Sequence, residues 1–212
     1  MVRDTLTAVN LKLVQAVRDH GGRAAAVPSG VFEAELIDEA GRWADRLSVN
    51  VELPTGASLK RLAPEKSAGG IRKAMAEIRS RREASRDRAH TGRRPAAFAP
   101  AGQSTQVIVG ADGSDDRDIL TQSATLYGSY GLSRVYYSAF SPIPDTSKAL
   151  PLIRPPLMRE HRLYQADWLL RYYGFAVEEV AEEGMLDLNL DPKLSWALRH
   201  RGRFPVDINR AS

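Results

Sequence analysis

The segments STQVIVGAD (104–112) and RVYYSAFSPIPD (134–145) are short apolar runs, and each stops at a polar or turn-forming tip. Between them, a stretch that Asp115 or Asp116 can cap runs with helical spacing to Tyr130, where Gly131 breaks it. The order is strand, crossover, parallel strand. In sheets of that kind the ligand lies at the carboxyl ends of the strands. The tips near Asp112 and Asp145 are therefore where chemistry is expected.

The alternation runs through the chain. Leu6, Val9, Leu13, Ala16 and Val17 follow a 3.6-residue period, which predicts a helix from Asp4 or Thr5 to His20, ended by Gly21-Gly22. A short strand is expected at Arg23–Val27, and a helix at Phe32–Arg46 with Leu36, Ile37, Ala40 and Trp43 on one side. Leu47–Leu53 alternates apolar residues with Ser48, Asn50 and Glu52, which predicts a strand with one polar face, ended by Pro54. A helical turn at Ser58–Leu62 and a long basic helix at Ile71–Ala89 follow, then a loop at His90–Gly102. Strands are expected at Thr105–Val109 and Leu132–Ala139, and helices at Arg159–Phe175 and Pro192–Arg199. In the former helix Leu163, Ala166, Leu169, Leu170 and Tyr173 share a face.

Such alternation implies an α/β fold with a parallel sheet and right-handed crossovers. Four strands are too few for a complete eight-stranded barrel, so the sheet is either open or part of a larger barrel. A partial barrel would leave an edge strand and an apolar inner face exposed, with marginal stability or a partner as the consequence. The chain has 212 residues and is 43% hydrophobic, enough to build a core. No apolar run approaches a membrane span and no secretory leader opens the sequence, so the expectation is a cytoplasmic protein with no membrane partner.

Formal charge is +4, and it is unevenly placed. Arg72, Lys73, Arg79, Arg81, Arg82, Arg86 and Arg88 crowd one segment, followed by Arg93 and Arg94, and only Glu77, Glu83 and Asp87 oppose them. Arg72, Arg79, Arg82 and Arg86 are candidates to meet nucleic acid. A solvated helix face with i,i+4 ion pairs is the commoner outcome for such a run.

Cysteine is absent, which removes disulfides, thiolate nucleophiles and cysteine-ligated zinc or iron–sulfur centres from this chain. His20, His90, His161 and His200 are scattered, without metal-ligand spacing. There is no Walker loop, nucleophile elbow or kinase signature. Gly110 at a strand end would let a ligand approach the backbone, and Asp112 could accept a hydrogen bond from an amine or ribose hydroxyl; a turn glycine with an Asp cap fits the spacing equally well. Ser48, Asn50 and Glu52 are costly on a buried strand face unless satisfied, which marks them as binding candidates if the face is not solvated. Ser138, Ser141, Pro142 and Pro144 close the last strand. Tyr136, Tyr137, Tyr164, Trp168, Tyr172 and Tyr173 could stack on bases, but at helical spacing aromatics more often fill a core. Arg159, His161 and Arg162 open a helix and could hold an anion or form a surface turn.

The blocks ADRLSVNVELPTGASLKRLAPEK (44–66), FAPAGQSTQVIVGAD (98–112), RVYYSAFSPIPD (134–145), PPLMREHRLYQADWLLRYYGF (155–175) and LDLNLDPKLSWALRHRGRFPVDINRA (186–211) stand in this order. Together they resemble the carboxyl-terminal half of radical S-adenosylmethionine (SAM) enzymes, of the DNA modification and repair group found beside a uracil-DNA glycosylase-like protein. The resemblance spans Leu36–Ser212, while residues 1–35 match poorly. It implies a partial (β/α) TIM-like barrel at 36–150 that binds SAM at its strand ends, an atypical segment at 1–35, and a helical extension at 151–212. By the same resemblance Gly110 and Asp112 lie along the adenosyl group, Glu52 and Asn50 face the methionine part, and Ser138 and Pro142 pack near the adenine. PVDINRA (205–211) resembles the opening of a helix-hairpin-helix DNA-binding module. The family holds a [4Fe–4S] cluster on a CxxxCxxC loop, which this chain lacks. The expectation is a fragment, a split half or a degenerate paralogue that retains part of the SAM pocket and does no radical chemistry alone. Its expected partners are DNA, a polypeptide carrying the cysteine motif and the glycosylase-like protein; the alternative is a non-catalytic nucleic-acid-binding module.

Overall fold

A computed structural model describes residues 25–26, 34–90, 97–142 and 149–203. The helix expected to end at His20, the tip at Pro144 and Asp145, and the PVDINRA segment lie outside the described residues. The fold is mixed α/β. Strands β1 (Ala25–Ala26), β2 (Arg46–Ser48), β3 (Gly102–Val109) and β4 (Arg134–Ala139) form one sheet in the order β1-β2-β3-β4. Every pairing is parallel. The helices are α1 (Ala34–Trp43), α2 (Gly56–Leu62), α3 (Ala68–His90), α4 (Asp116–Tyr130), α5 (Leu157–Tyr173), α6 (Val177–Val180) and α7 (Pro192–Arg199).

Two boundaries move from their expected places for identifiable reasons. Arg46 leaves the first helix and starts β2, pairing with Gly102. The regular β2 ladder stops at Ser48 rather than Leu53, because the Val51 N–H donates to the Thr105 hydroxyl (2.9 Å) and not to a ladder carbonyl. Backbone pairing resumes at Glu52, whose N–H donates to the Gln106 carbonyl (3.0 Å) and whose carbonyl accepts from Ile108 (2.7 Å).

Helix α4 forms where its caps place it. Asp115 accepts from the Asp118 N–H, Asp118 returns a bond to the Asp115 N–H, and Gly131 ends the helix at φ 60°. The side chain of Arg79 on α3 donates to the terminal carbonyls of Gly128 (3.3 Å) and Ser129 (2.8 Å), and Arg82 donates to that of Gly131 (3.3 Å). These guanidiniums satisfy carbonyls that have no partner within the helix, at its negative end. Replacing Gly131 by alanine forces a Cβ into the left-handed region and is expected to cost about 1 kcal/mol, read as a lower urea midpoint at unchanged slope.

Leu47, Val49, Val51, Val107, Val109, Val135 and Tyr137 are buried in one cluster with Ile37, Met75, Ile78, Ile119, Leu120 and Leu163 from the helices. Parallel strands in sequential order with crossovers of one hand put their helices on one face, in keeping with the burial of alternate strand residues against the described helices. The alternate residues Arg46, Ser48, Asn50, Gln106, Ile108, Arg134, Tyr136 and Ser138 are only partly buried or exposed. This second face is mainly polar, so the expected exposed apolar face is not what the residues form.

Nor is the β4 edge left open. The outward N–H groups of Val135, Tyr137 and Ala139 donate to the Tyr127 hydroxyl (3.0 Å), the Tyr164 hydroxyl (3.0 Å) and the Glu160 carboxylate (2.9 Å). The Tyr164 hydroxyl in turn donates to the Tyr137 carbonyl (3.0 Å). Side chains take the bonds a further strand would make, which blunts the edge against pairing.

Candidate functional site

The sheet register places polar side chains in rows across the open face. Ser48 lies opposite Ser104, and Ser104 opposite Arg134. Gln106 lies opposite Tyr136, and Ile108 opposite Ser138. At the carboxyl ends, Glu52 bridges to Val107 while Val109 pairs with Ala139. Glu52, Gly110 and Ser138 therefore sit on three adjacent strand ends, as the ligand-side expectation requires.

Glu52 has the most unusual backbone of the three. Its φ is +63°, and the Leu53 N–H donates across it to the Val51 carbonyl (2.7 Å), a tight γ-turn. A non-glycine residue in this region costs about 1–2 kcal/mol and persists only where its surroundings hold it. The Glu52 carboxylate pairs with Lys66 at 2.8 Å, both side chains being largely buried. Asn50 Oδ1 accepts from the Ser48 hydroxyl (3.0 Å), which orients the amide on the same face.

The glycine tip is shaped differently from the expectation that a ligand approaches it. A Cβ on Gly110 would lie 2.8 Å from Pro155 Cγ, so the close approach that glycine permits is made by the chain's own Pro155. Asp112 accepts from the Ser114 N–H (3.2 Å) and hydroxyl (2.8 Å), which closes the turn into α4. Ser138 and Pro142 are half-buried at the end of β4 and just beyond it.

The basic helix divides. Arg79 and Arg82 serve the end of α4, and Arg81 pairs with Glu77 (2.8 Å) and with Asp38. Burial, then the neighbouring Arg86 charge, lowers the Arg82 pKa. Arg72 and Arg86 are exposed, with no ion pair among the described residues. Arg159 does not await an anion: it is buried against Asp116 at 2.6 Å. Arg162 donates to the Leu188 carbonyl (3.0 Å) and Gln165 (2.8 Å). Aromatic residues split in the same way. Tyr137 is core, whereas Trp168, Tyr172 and Tyr173 are 50%, 60% and 57% exposed, which corrects the shared apolar face expected to include Tyr173.

No family model, no curated protein and no solved structure matches the chain. The site must therefore be read from its own residues. With no cysteine in the sequence and no group of three His, Cys, Asp or Glu side chains able to hold a metal among the described residues, the donor set does not fit an iron–sulfur cluster. Among the described residues no helix is long and apolar enough to cross a membrane.

Sequence reasoning missed two groups. Arg46 and Arg134 stand on the open face as the first residues of β2 and β4, where a strand-initial arginine reads as ordinary surface. Asp116 and Asp167 are fully buried, although each has the spacing of a helix cap or an i,i+4 surface pair. Only the polar residues packed around them reveal the difference.

Proposed function

We propose that this chain is a segment of a (β/α) barrel whose open polar face and strand ends form one wall of a SAM site, in a DNA-modifying or repair assembly of the radical SAM type. The observation that carries this reading is the alignment of Glu52, Gly110 and Ser138 on three adjacent carboxyl ends of a parallel sheet whose buried face packs on the described helices. The blocks that resemble the radical SAM group lend the ligand its name. Glu52, held in a strained turn and neutralised by Lys66, would accept from the SAM ammonium, with Asn50 beside it. Gly110 and Asp112 shape the rim through Pro155 and Ser114. Ser138 and Pro142 would flank the adenine. SAM supplies a sulfonium electrophile or radical precursor when bound; the cluster that reduces it would come from another polypeptide.

Titration calorimetry with SAM tests the reading. Saturable binding is expected, and Glu52→Gln should weaken it about tenfold, the loss of one charge-assisted hydrogen bond. Binding that is absent, or equal in parent and variant, sinks it. A second variant separates function from fold: Glu52→Asn strands the largely buried Lys66 ammonium and should lower urea stability, Glu52→Asn with Lys66→Met should recover part of that loss, and SAM affinity should fall in both.

Of the four candidate arginines, the alternative of a non-catalytic nucleic-acid module keeps Arg72 and Arg86, since Arg79 and Arg82 are engaged at the end of α4. If it holds, Arg72→Gln with Arg86→Gln should flatten the salt dependence of DNA binding by about two units of slope.

A further inference from the structure

Arg46 and Arg134 are the cations on the open face that no carboxylate neutralises. Neither has an ion pair among the described residues. Both guanidiniums flank one residue, Tyr136: Arg46 Nη1 donates to its hydroxyl at 3.1 Å, and Arg134 Cζ lies 5.3 Å from its ring centroid. Both also hold a buried Nε–H with no acceptor. A guanidinium presents five donors in a fixed fork, and a buried N–H of that fork without a partner is a cost the fold does not normally carry. The register explains how they meet. Arg46 pairs with Gly102, which has no side chain, and Arg134 pairs with Ser104, so only small side chains of β3 stand between them.

Two unneutralised guanidiniums pack against one tyrosine, Arg46 at its hydroxyl and Arg134 over its ring and that of Tyr164, on a face that no described helix covers, and their remaining N–H groups are donors suited to an oxyanion. We infer that the amino-terminal end of the open face is an anion site for the phosphate of a nucleotide, held by Arg46 and Arg134 beside Tyr136. It lies at the opposite end of the strands from Glu52, Gly110 and Ser138, so it does not depend on the SAM reading. The phosphate could belong to a free deoxynucleotide or to a DNA strand, and the chemistry at the arginines is the same for both.

The experiment uses the full chain and three probes: inorganic phosphate, a deoxynucleoside monophosphate and a short single-stranded oligonucleotide. In calorimetry at low salt the monophosphate is expected to bind saturably, and Arg46→Gln or Arg134→Gln to weaken it about tenfold each. Arg72→Gln with Arg86→Gln should leave monophosphate affinity unchanged. Tighter binding of the oligonucleotide than of the monophosphate assigns the phosphate to a strand; equal or weaker binding assigns it to a free nucleotide. A second measurement needs no variant: phenylglyoxal should modify Arg46 and Arg134 in the free protein, and phosphate should protect both. Unaltered affinity in the two folded variants overturns the inference. So does resistance of both arginines to the reagent in the free protein, since the face is then already filled.

Discussion

Replacing Asp167 by alanine is expected to cost about 3–5 kcal/mol, a large share of a typical domain's stability of about 5–15 kcal/mol. Asp167 lies on α5 with no solvent exposure. Its Oδ1 accepts from the Tyr127 hydroxyl and lies 3.2 Å from that of Tyr137, while Oδ2 pairs with Arg171 at 2.8 Å. Tyr127 also caps Val135 at the sheet edge, and Tyr137 also reaches Ser123 at 2.9 Å. Removing the carboxylate leaves the Tyr127 hydroxyl without its acceptor and the largely buried Arg171 guanidinium without its counter-charge, while the Tyr137 hydroxyl keeps Ser123. Urea unfolding should show the loss; a change below about 1 kcal/mol would mean that the network contributes little.

The same network predicts an alkaline limit. Burial, then the Asp167 charge, raises the pKa of both Tyr127 and Tyr137 in the folded protein. Above their ordinary value of about 10 the unfolded chain releases protons that the folded chain keeps, so stability is full below that pH and falls above it. These two groups together should contribute a slope approaching about 2.7 kcal/mol per pH unit, and Tyr127→Phe should remove about half of that contribution.

Asp116→Ala is expected to have a similar effect, again about 3–5 kcal/mol, because it strands Arg159. Asp116 is fully buried at the start of α4; one oxygen accepts from Arg159 Nε (2.6 Å) and the other from the Leu186 N–H (2.9 Å). Arg159 also donates to the Ser114 carbonyl (2.9 Å). The pair thus ties the first turns of α4 and α5 to the segment after α6. A double-mutant cycle with Arg159→Met separates pair from packing. The double variant should be more stable than Asp116→Ala alone, since no bare charge remains buried. Strict additivity of the two changes would remove the pair from the account.

Much of the fold was legible because local chemistry and tertiary structure agree. Asp115 and Gly131 bracket α4, and Asp191 and Pro192 open α7, because caps act within one turn. The strand alternation at Ser48 and Asn50 located a polar face, because side chains in a strand alternate whatever they meet. Where β2 ends was not legible, since the Thr105 hydroxyl that draws off the Val51 N–H lies 54 residues away. The roles of the charged residues were equally hidden. Arg79 and Arg82 read in sequence as a solvated face with i,i+4 pairs or as a polyanion contact, and Arg159 as an anion site or a surface turn; Arg79 does pair with Glu83 (2.7 Å), but all three also reach an acceptor on a distant element.

The sequence by itself determined the α/β alternation, the parallel sense of the sheet and the absence of any cysteine-held cluster on this chain, because these depend on period, connection length and residue type. Tertiary structure alone decided that no described helix covers the polar face, that side chains close the β4 edge, that Pro155 fills the space at Gly110, and that Arg46 and Arg134 both pack against Tyr136. Those features depend on which residues distant in sequence come into contact, and no local pattern encodes that.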